Sequence, residues 1–226
     1  MIKLAPDMVP LGFYVRPMLR ADVDQVMEIE KEAFPTQWPP TSFHRELENR
    51  LAHYFVVCED REAPPSSNHP PSRQGWLRRL LRRQAQEVPT NRHGFVVGAM
   101  GMWVLYDEAH ITTIAVRDAY RRRGLGEILL ITAIERALEL QARVVTLEVR
   151  ASNRGAQALY EKYGFKRTGV RRAYYTDNRE DGVIMTTDPI ATPVYQALFR
   201  DLKEQHAARW AISAPLGAQK SPPAYP

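Results

Sequence analysis

The chain is almost without cysteine. Cys58 stands alone among 226 residues, so no intrachain disulfide can staple the fold and no cysteine-based zinc cluster can form. The six histidines, at 44, 53, 69, 93, 110 and 206, show no ligand-like spacing, and no structural metal is expected. Also missing is any uncharged apolar run near the ~20 residues that a spanning helix needs, and the opening MIKLAPDMVP lacks the apolar segment of a secretory signal. These absences predict a protein of the reducing cytoplasm that relies on a hydrophobic core. Material for that core is present. Hydrophobic residues make up 44% of the chain, and a domain of ~150 residues buries about 70% of its unfolded-chain surface. Cys58 itself sits in an apolar strand pattern and reads as a packed thiol rather than a nucleophile.

The formal charge of +5 invites a nucleic-acid or membrane reading, but it is confined to one place. Residues 61–93 hold seven arginines (61, 73, 78, 79, 82, 83 and 92) against Glu62 and Glu87, whereas the rest of the chain carries 24 basic and 24 acidic residues. A module driven by polyanion binding throughout is therefore disfavoured. The segment also holds five prolines and a kernel, GWLRRLLRRQAQEV, in which Trp76, Leu77, Leu80 and Leu81 alternate with arginine pairs. It reads as a basic insertion projecting from the domain edge: a solvated loop, or a docking element for ribosomal RNA or another polyanion.

Elsewhere the pattern alternates between strands and helices, an α/β (α+β) arrangement. Strands are expected at 13–18, 54–60, 94–107, 109–116 and 144–149, with two more around the polar turn TDNRED; helices are expected from Leu19, after Thr41 or Ser42, over 125–141, and in NRGAQALYEKYG. The helix at 125–141 is apolar on more than one face and must be largely buried. After Pro189, VYQALFRDLKEQHAARW predicts a further helix, and SAPLGAQKSPPAYP a disordered tail. The division predicted is a domain over 11–188, interrupted by 61–93, and a C-terminal extension over 189–226.

Two motifs carry chemistry. Arg121-Arg122-Arg123-Gly124-Leu125-Gly126 follows a strand and opens the buried helix. Glycines permit close backbone approach, and the unsatisfied amides of a first helical turn suit an anion such as a pyrophosphate. The plain alternative is a glycine-capped helix start beside a solvated arginine run. Leu129 stands where a dinucleotide fingerprint would have its third glycine, so that motif is excluded. In Leu147-Glu148-Val149-Arg150, strand alternation puts Glu148 and Arg150 on the face opposite Leu147 and Val149. If that face lines a cleft, Glu148 is placed to accept a proton; otherwise it is a strand-edge ion pair with an arginine. Asn153, Gln157 and Tyr160 share one face of the next helix. Tyr160 could donate a proton to a leaving thiolate or be a core ring, and Asn153 could cap the helix or hold a cofactor amide.

The order of these segments, with R-x-x-G-x-G at the central helix and LEVRASN...ALYEKYGF after the next strand, resembles the GCN5-related N-acetyltransferases (GNAT superfamily), and within them the RimI type. FPTQWPPTSF, IAVRDAYRRRGLG and RRAYYTDNREDGVIM strengthen the likeness, whereas the 61–93 insertion and the extension after Pro189 lie outside it. The resemblance implies a mixed central β-sheet flanked by helices and direct acetyl transfer from acetyl-CoA to a protein N-terminus, that of a ribosomal protein for the RimI type. It implies that Ile114, Ala115 and Val116 offer backbone groups to the pantetheine arm, that Arg121, Arg122, Arg123, Gly124, Leu125, Gly126 and Glu127 form the pyrophosphate loop, and that Asn153 contacts the cofactor. Glu148 falls at the proton acceptor, Tyr160 at the proton donor, and Tyr174 and Tyr175 at a pair of tyrosines that holds the incoming peptide.

Overall fold

The structure, a computed structural model, describes residues 12–34, 41–60 and 94–212, the last three by backbone alone. The basic insertion at 61–93 and the tail SAPLGAQKSPPAYP lie outside the described residues.

Seven strands form one open sheet in the order β1-β2-β3-β4-β5-β7-β6: β1 (Phe13–Pro17), β2 (Ala52–Glu59), β3 (Phe95–Leu105), β4 (Glu108–Val116), β5 (Val144–Arg150), β6 (Phe165–Tyr175) and β7 (Glu180–Thr187). All neighbours are antiparallel except β4 and β5. A parallel pair requires a crossover, supplied by the long helix of the sequence reading. In the numbering of the helices that follows, α1 is Val23–Ala33, α2 Phe43–Glu46, α3 the crossover Leu125–Glu139, α4 Arg154–Lys162 and α5 Pro193–Ile212. The first helix begins later than its pattern suggested, because Arg20–Asp22 form a 3-10 turn tied by the Arg16–Asp22 ion pair at 2.6 Å.

Strand alternation divides the core between the two faces. On one, Val57, Val97, Met100, Ile111, Val145 and Leu147 pack under α3; on the other, Tyr54, Val56, Cys58, Val96, Ala99 and Ala115 pack against α1 and Phe43. Cys58 is fully buried, and burial pushes its thiol up to about 11, as expected of a packed thiol. Helix α3 buries ten of its fifteen residues, having the sheet below it and α5 along its flank.

The boundary expected at residue 188 does not divide the packing. Tyr195, Phe199 and Leu202 of α5 belong to the main core with Tyr163 and Phe165, and the Tyr195 hydroxyl donates to the Tyr163 carbonyl at 3.0 Å. Farther along, α5 reaches the first turn of α3. There the carboxylate of Glu127 accepts from Lys162 (2.5 Å), the Tyr163 hydroxyl (2.8 Å) and Arg209 (2.9 and 3.0 Å), with His206 Nδ1 at 3.4 Å. Burial alone would raise the Glu127 pKa, but the contacts from His206, Lys162 and Tyr163 hold it well below the ordinary carboxylate range.

Glu127→Gln should therefore cost about 1–2 kcal/mol at neutral pH, a moderate figure because Lys162 and Arg209 remain partly hydrated. The folded-state pKa is depressed, so this stabilisation is complete above the unfolded value and disappears as pH falls toward the folded one. Thermal melts of wild type and variant should differ at pH 7 and converge in acid; a constant difference would mean that the carboxylate's charge does not hold α5.

Candidate active site

Strands β4 and β5 are hydrogen-bonded neighbours only from Glu108↔Val144 to Ile111↔Leu147. Past that point they part. A bulge in β4, where the register with β3 slips at Thr112, coincides with the separation. Bulges bend a strand and end its pairing. The β5-facing edge of Ile114, Ala115 and Val116 is thus left without a strand partner, as is the β4-facing edge of Glu148, Val149 and Arg150. Backbone edges of this kind are ready acceptors and donors for an extended ligand.

At the wide end of the opening sits the start of α3. Arg122 has φ +62° and Gly124 φ +72°, two left-handed residues within three positions that wind the loop tightly before the helix. Among the described residues, the amides of Arg122 through Gly126 find no acceptor, and the first helical amides to do so, Glu127 and Ile128, bond the Gly124 carbonyl. A Cβ built on Gly126 would meet nothing nearer than Val116 Cγ2 at 4.0 Å, so open space lies above the first turn. Arg121 bonds the Val116 carbonyl at 3.3 Å and Asp118 at 2.8 Å, joining loop to strand end. Arg123 lies over the Tyr120 ring, 5.0 Å from its centroid. Positive side chains, unsatisfied amides and a vacant glycine cradle fit a pyrophosphate group. The Glu127 carboxylate, expected in this loop, is taken up by Lys162, Tyr163 and Arg209 of the α5 cluster.

Glu148 is the first β5 residue past the last β4 pairing. Leu147 and Val149 are buried in the α3-side core, and the Glu148 carboxylate lies on the other face with its side chain 8% exposed. Two partners hold it. His110 Nε2 of β4 is 2.6 Å from Oε2, and Arg171 Nε of β6 is 2.9 Å from Oε1. Neither was found in the sequence. His110 follows the alternation of β4, opposite in sense to Ala109 and Ile111, but only the parallel register sets it beside Glu148; the arginine ion pair anticipated for a mid-strand carboxylate exists and is supplied by β6.

Tyr160 of α4 packs its ring at 5.7 Å from that of Phe165, and among the described residues its hydroxyl has no hydrogen-bond partner; burial raises it to about 12. Tyr174 and Tyr175 end β6 with their rings edge to face at 5.2 Å. Tyr175 links the cluster: its hydroxyl donates to the Glu148 carbonyl at 3.4 Å, and burial together with the charges of Tyr174, Tyr160 and Glu148 raises its pKa against the pull of Arg150. Arg150 lies 4.1 Å from the Tyr175 ring centroid and pairs with Asp177 and Glu180, so it braces the turn between β6 and β7; hydrogen bonds from Ser152 hold Glu180 at about 2. Asn153 caps α4, its Oδ1 accepting from the Ala156 amide at 3.1 Å. Gln157, read as sharing a functional face, is buried and donates to the carbonyls of Arg150 and Ala151, holding α4 against the end of β5.

Comparison with known proteins places this arrangement. A family model described as Acetyltransferase (GNAT) family matches residues 61–165. The putative [ribosomal protein bS18]-alanine N-acetyltransferase of Bacillus subtilis (strain 168) is 38% identical over 172 residues, 76% of this chain and 92% of that one. The chain belongs to the GNAT acetyltransferase family. As a GNAT protein it is an acyltransferase, and other relatives agree: the N-alpha-acetyltransferase RimI of Mycobacterium tuberculosis is 32% identical over 76% of this chain and 89% of its own. Among solved structures, the ribosomal-protein-S18-alanine N-acetyltransferase from Escherichia coli superposes with a TM-score of 0.59 and 28% identity, covering 80% of this chain and 95% of that one. The open mixed sheet with its parted β4 and β5 is thus the GNAT fold anticipated from the motifs. Among the described residues, no group of histidine, cysteine, aspartate or glutamate could hold a metal ion.

Proposed function

We propose that this GNAT protein is an acetyl-CoA-dependent N-alpha-acetyltransferase of the RimI type, acting on the N-terminal alanine of a small-subunit ribosomal protein. The observation that carries the reading is the Glu148–His110 couple at the apex of the β4–β5 opening, a proton-accepting pair beside free strand edges. Relatives at 38% and 32% identity bear the names of N-terminal acetyltransferases, one of them for a ribosomal protein alanine.

Acetyl-CoA would supply an activated acetyl thioester. The backbone of Ile114, Ala115 and Val116 would hold its amide-bearing arm, and the amides of 122–126 with Arg121, Arg122 and Arg123 its pyrophosphate. Asn153 uses Oδ1 for its cap and keeps its NH2 group for a cofactor carbonyl. An attacking amine must be neutral. A terminal α-amino group has a pKa of about 7.7–8.0 and a lysine about 10.4, so at pH 7 the first costs about 1.4 kcal/mol to deprotonate and the second about 4.6. Glu148, relayed by His110, takes the proton of the α-ammonium, a task of the smaller size. Tyr160, protonated at every physiological pH, gives its proton to the departing sulfur, and an amide near Val116 stabilises charge developing on the carbonyl oxygen. Tyr174 and Tyr175 flank the acceptor.

A peptide beginning with alanine should be acetylated at its terminus, and the same peptide with its α-amino group blocked and a lysine free should not. Mass spectrometry of both, with ribosomal-protein N-termini from a deletion strain, checks the assignment. Robust acetylation of the blocked peptide would point instead to lysine or small amines.

A further inference from the structure

Arg171 is oddly placed for a helper of a proton acceptor. Its Nε lies 2.9 Å from Glu148 Oε1, so a permanent cation sits on the carboxylate that is to receive a proton from another cation. Glu148 is nearly enclosed, whereas the Arg171 side chain is 54% exposed and can leave for water. The guanidinium lies 5.5 Å from the centroid of the Tyr174 ring, and that ring rests on Gly182, where a Cβ would come within 2.9 Å of Tyr174 Cδ1. Arg171 is also the last residue of β6 paired before a bulge: Arg171↔Gly182 is followed by Tyr175↔Glu180, with Ala173 at φ +49° between.

We propose that Arg171 holds, in the acceptor-free enzyme, the place of the substrate's ammonium at Glu148, so that binding is an exchange of one cation for another and Arg171 sets the specificity for charged amines. The inference rests on the reading of Glu148 given above. A carboxylate with an 8% exposed side chain is costly to leave without a counter-charge. A terminal ammonium can replace the guanidinium; a neutral hydroxyl or thiol cannot, and it meets a closed site. Once Arg171 has left for water, the ammonium faces Glu148 and His110 alone and can lose its proton to them.

The sign of one change separates exchange from mere support. If Arg171 competes with the acceptor, Arg171→Gln should lower KM for an alanine-terminated peptide and raise kcat/KM by about three- to fivefold, the fold-change matching a partly exposed charge pair. Arg171→Lys, which keeps the charge, should return KM toward wild type. Methylguanidinium, fitting the vacated place, should inhibit Arg171→Gln competitively against peptide and act far more weakly on wild type. If Arg171 only steadies Glu148, Arg171→Gln lowers kcat/KM, and that result overturns the proposal, as does an unchanged KM. Failure of the underlying reading looks different: Glu148→Gln then retains wild-type turnover, whatever Arg171→Gln does.

Discussion

Glu148→Gln is expected to lower kcat at pH 7 by about two to four orders of magnitude, the range lost when a positioned general base is removed, while acetyl-CoA binds as before. Glutamine keeps the shape and can still meet Arg171 through its oxygen, so the strand and its neighbours survive; only the capacity to take a proton goes. His110 remains, but the carboxylate at 2.6 Å to which it would relay the proton is gone. Tyr160→Phe should also lower kcat, with little change in fold because its hydroxyl bonds no described residue. Steady-state rates alongside cofactor titration decide both. Wild-type turnover in the two variants together would remove Glu148 and Tyr160 from the chemistry.

The second large effect concerns the cofactor alone. Gly126→Val should weaken acetyl-CoA binding by at least about a hundredfold, as expected when several phosphate contacts are blocked at once. The protein itself should tolerate the change, since a Cβ at 126 comes no nearer than 4.0 Å to Val116 and valine is a better helix residue than glycine. Gly124 is the less discriminating position. Its φ of +72° would strain any β-branched replacement, so Gly124→Val would lose binding through the backbone as well as through bulk. Calorimetric titration with acetyl-CoA, read beside the melting temperature, separates the two causes, and normal affinity in Gly126→Val would take the loop out of the site.

Most of the fold was legible because its signals are local. Alternation located the strands, helical spacing located α3 as a buried helix, and Asn153 announced the start of α4. Glu148 could be singled out for the same reason: a carboxylate amid β-branched residues contradicts its own strand. His110 and Arg171 could not. Each lies in a stretch of ordinary composition, and each reaches Glu148 only through strand register, the one through the parallel β4–β5 pair, the other across β7 from β6. Glu127 was grouped with the loop by its place in the chain, and the partners of its carboxylate were not legible there. One step around a helix turns a side chain by about 100°, and here that step points the carboxylate at Lys162, Tyr163 and Arg209. The C-terminal helix was recognised as a helix while its membership of the core was not, because Tyr195, Phe199 and Leu202 show an apolar stripe without saying what it faces.

If acetyl-CoA occupies the opening as proposed, the parting of β4 and β5 links folding to cofactor supply. A sheet that leaves strand edges unpaired in its middle lacks hydrogen bonds that an unbroken sheet would have, and a ligand that bridges the gap completes the sheet as a missing strand would. Anything bound only by the native state adds to its stability in proportion to the logarithm of its concentration, about 2.7 kcal/mol at a hundred times the dissociation constant. The melting temperature of this GNAT protein would then climb with the acetyl-CoA concentration around it.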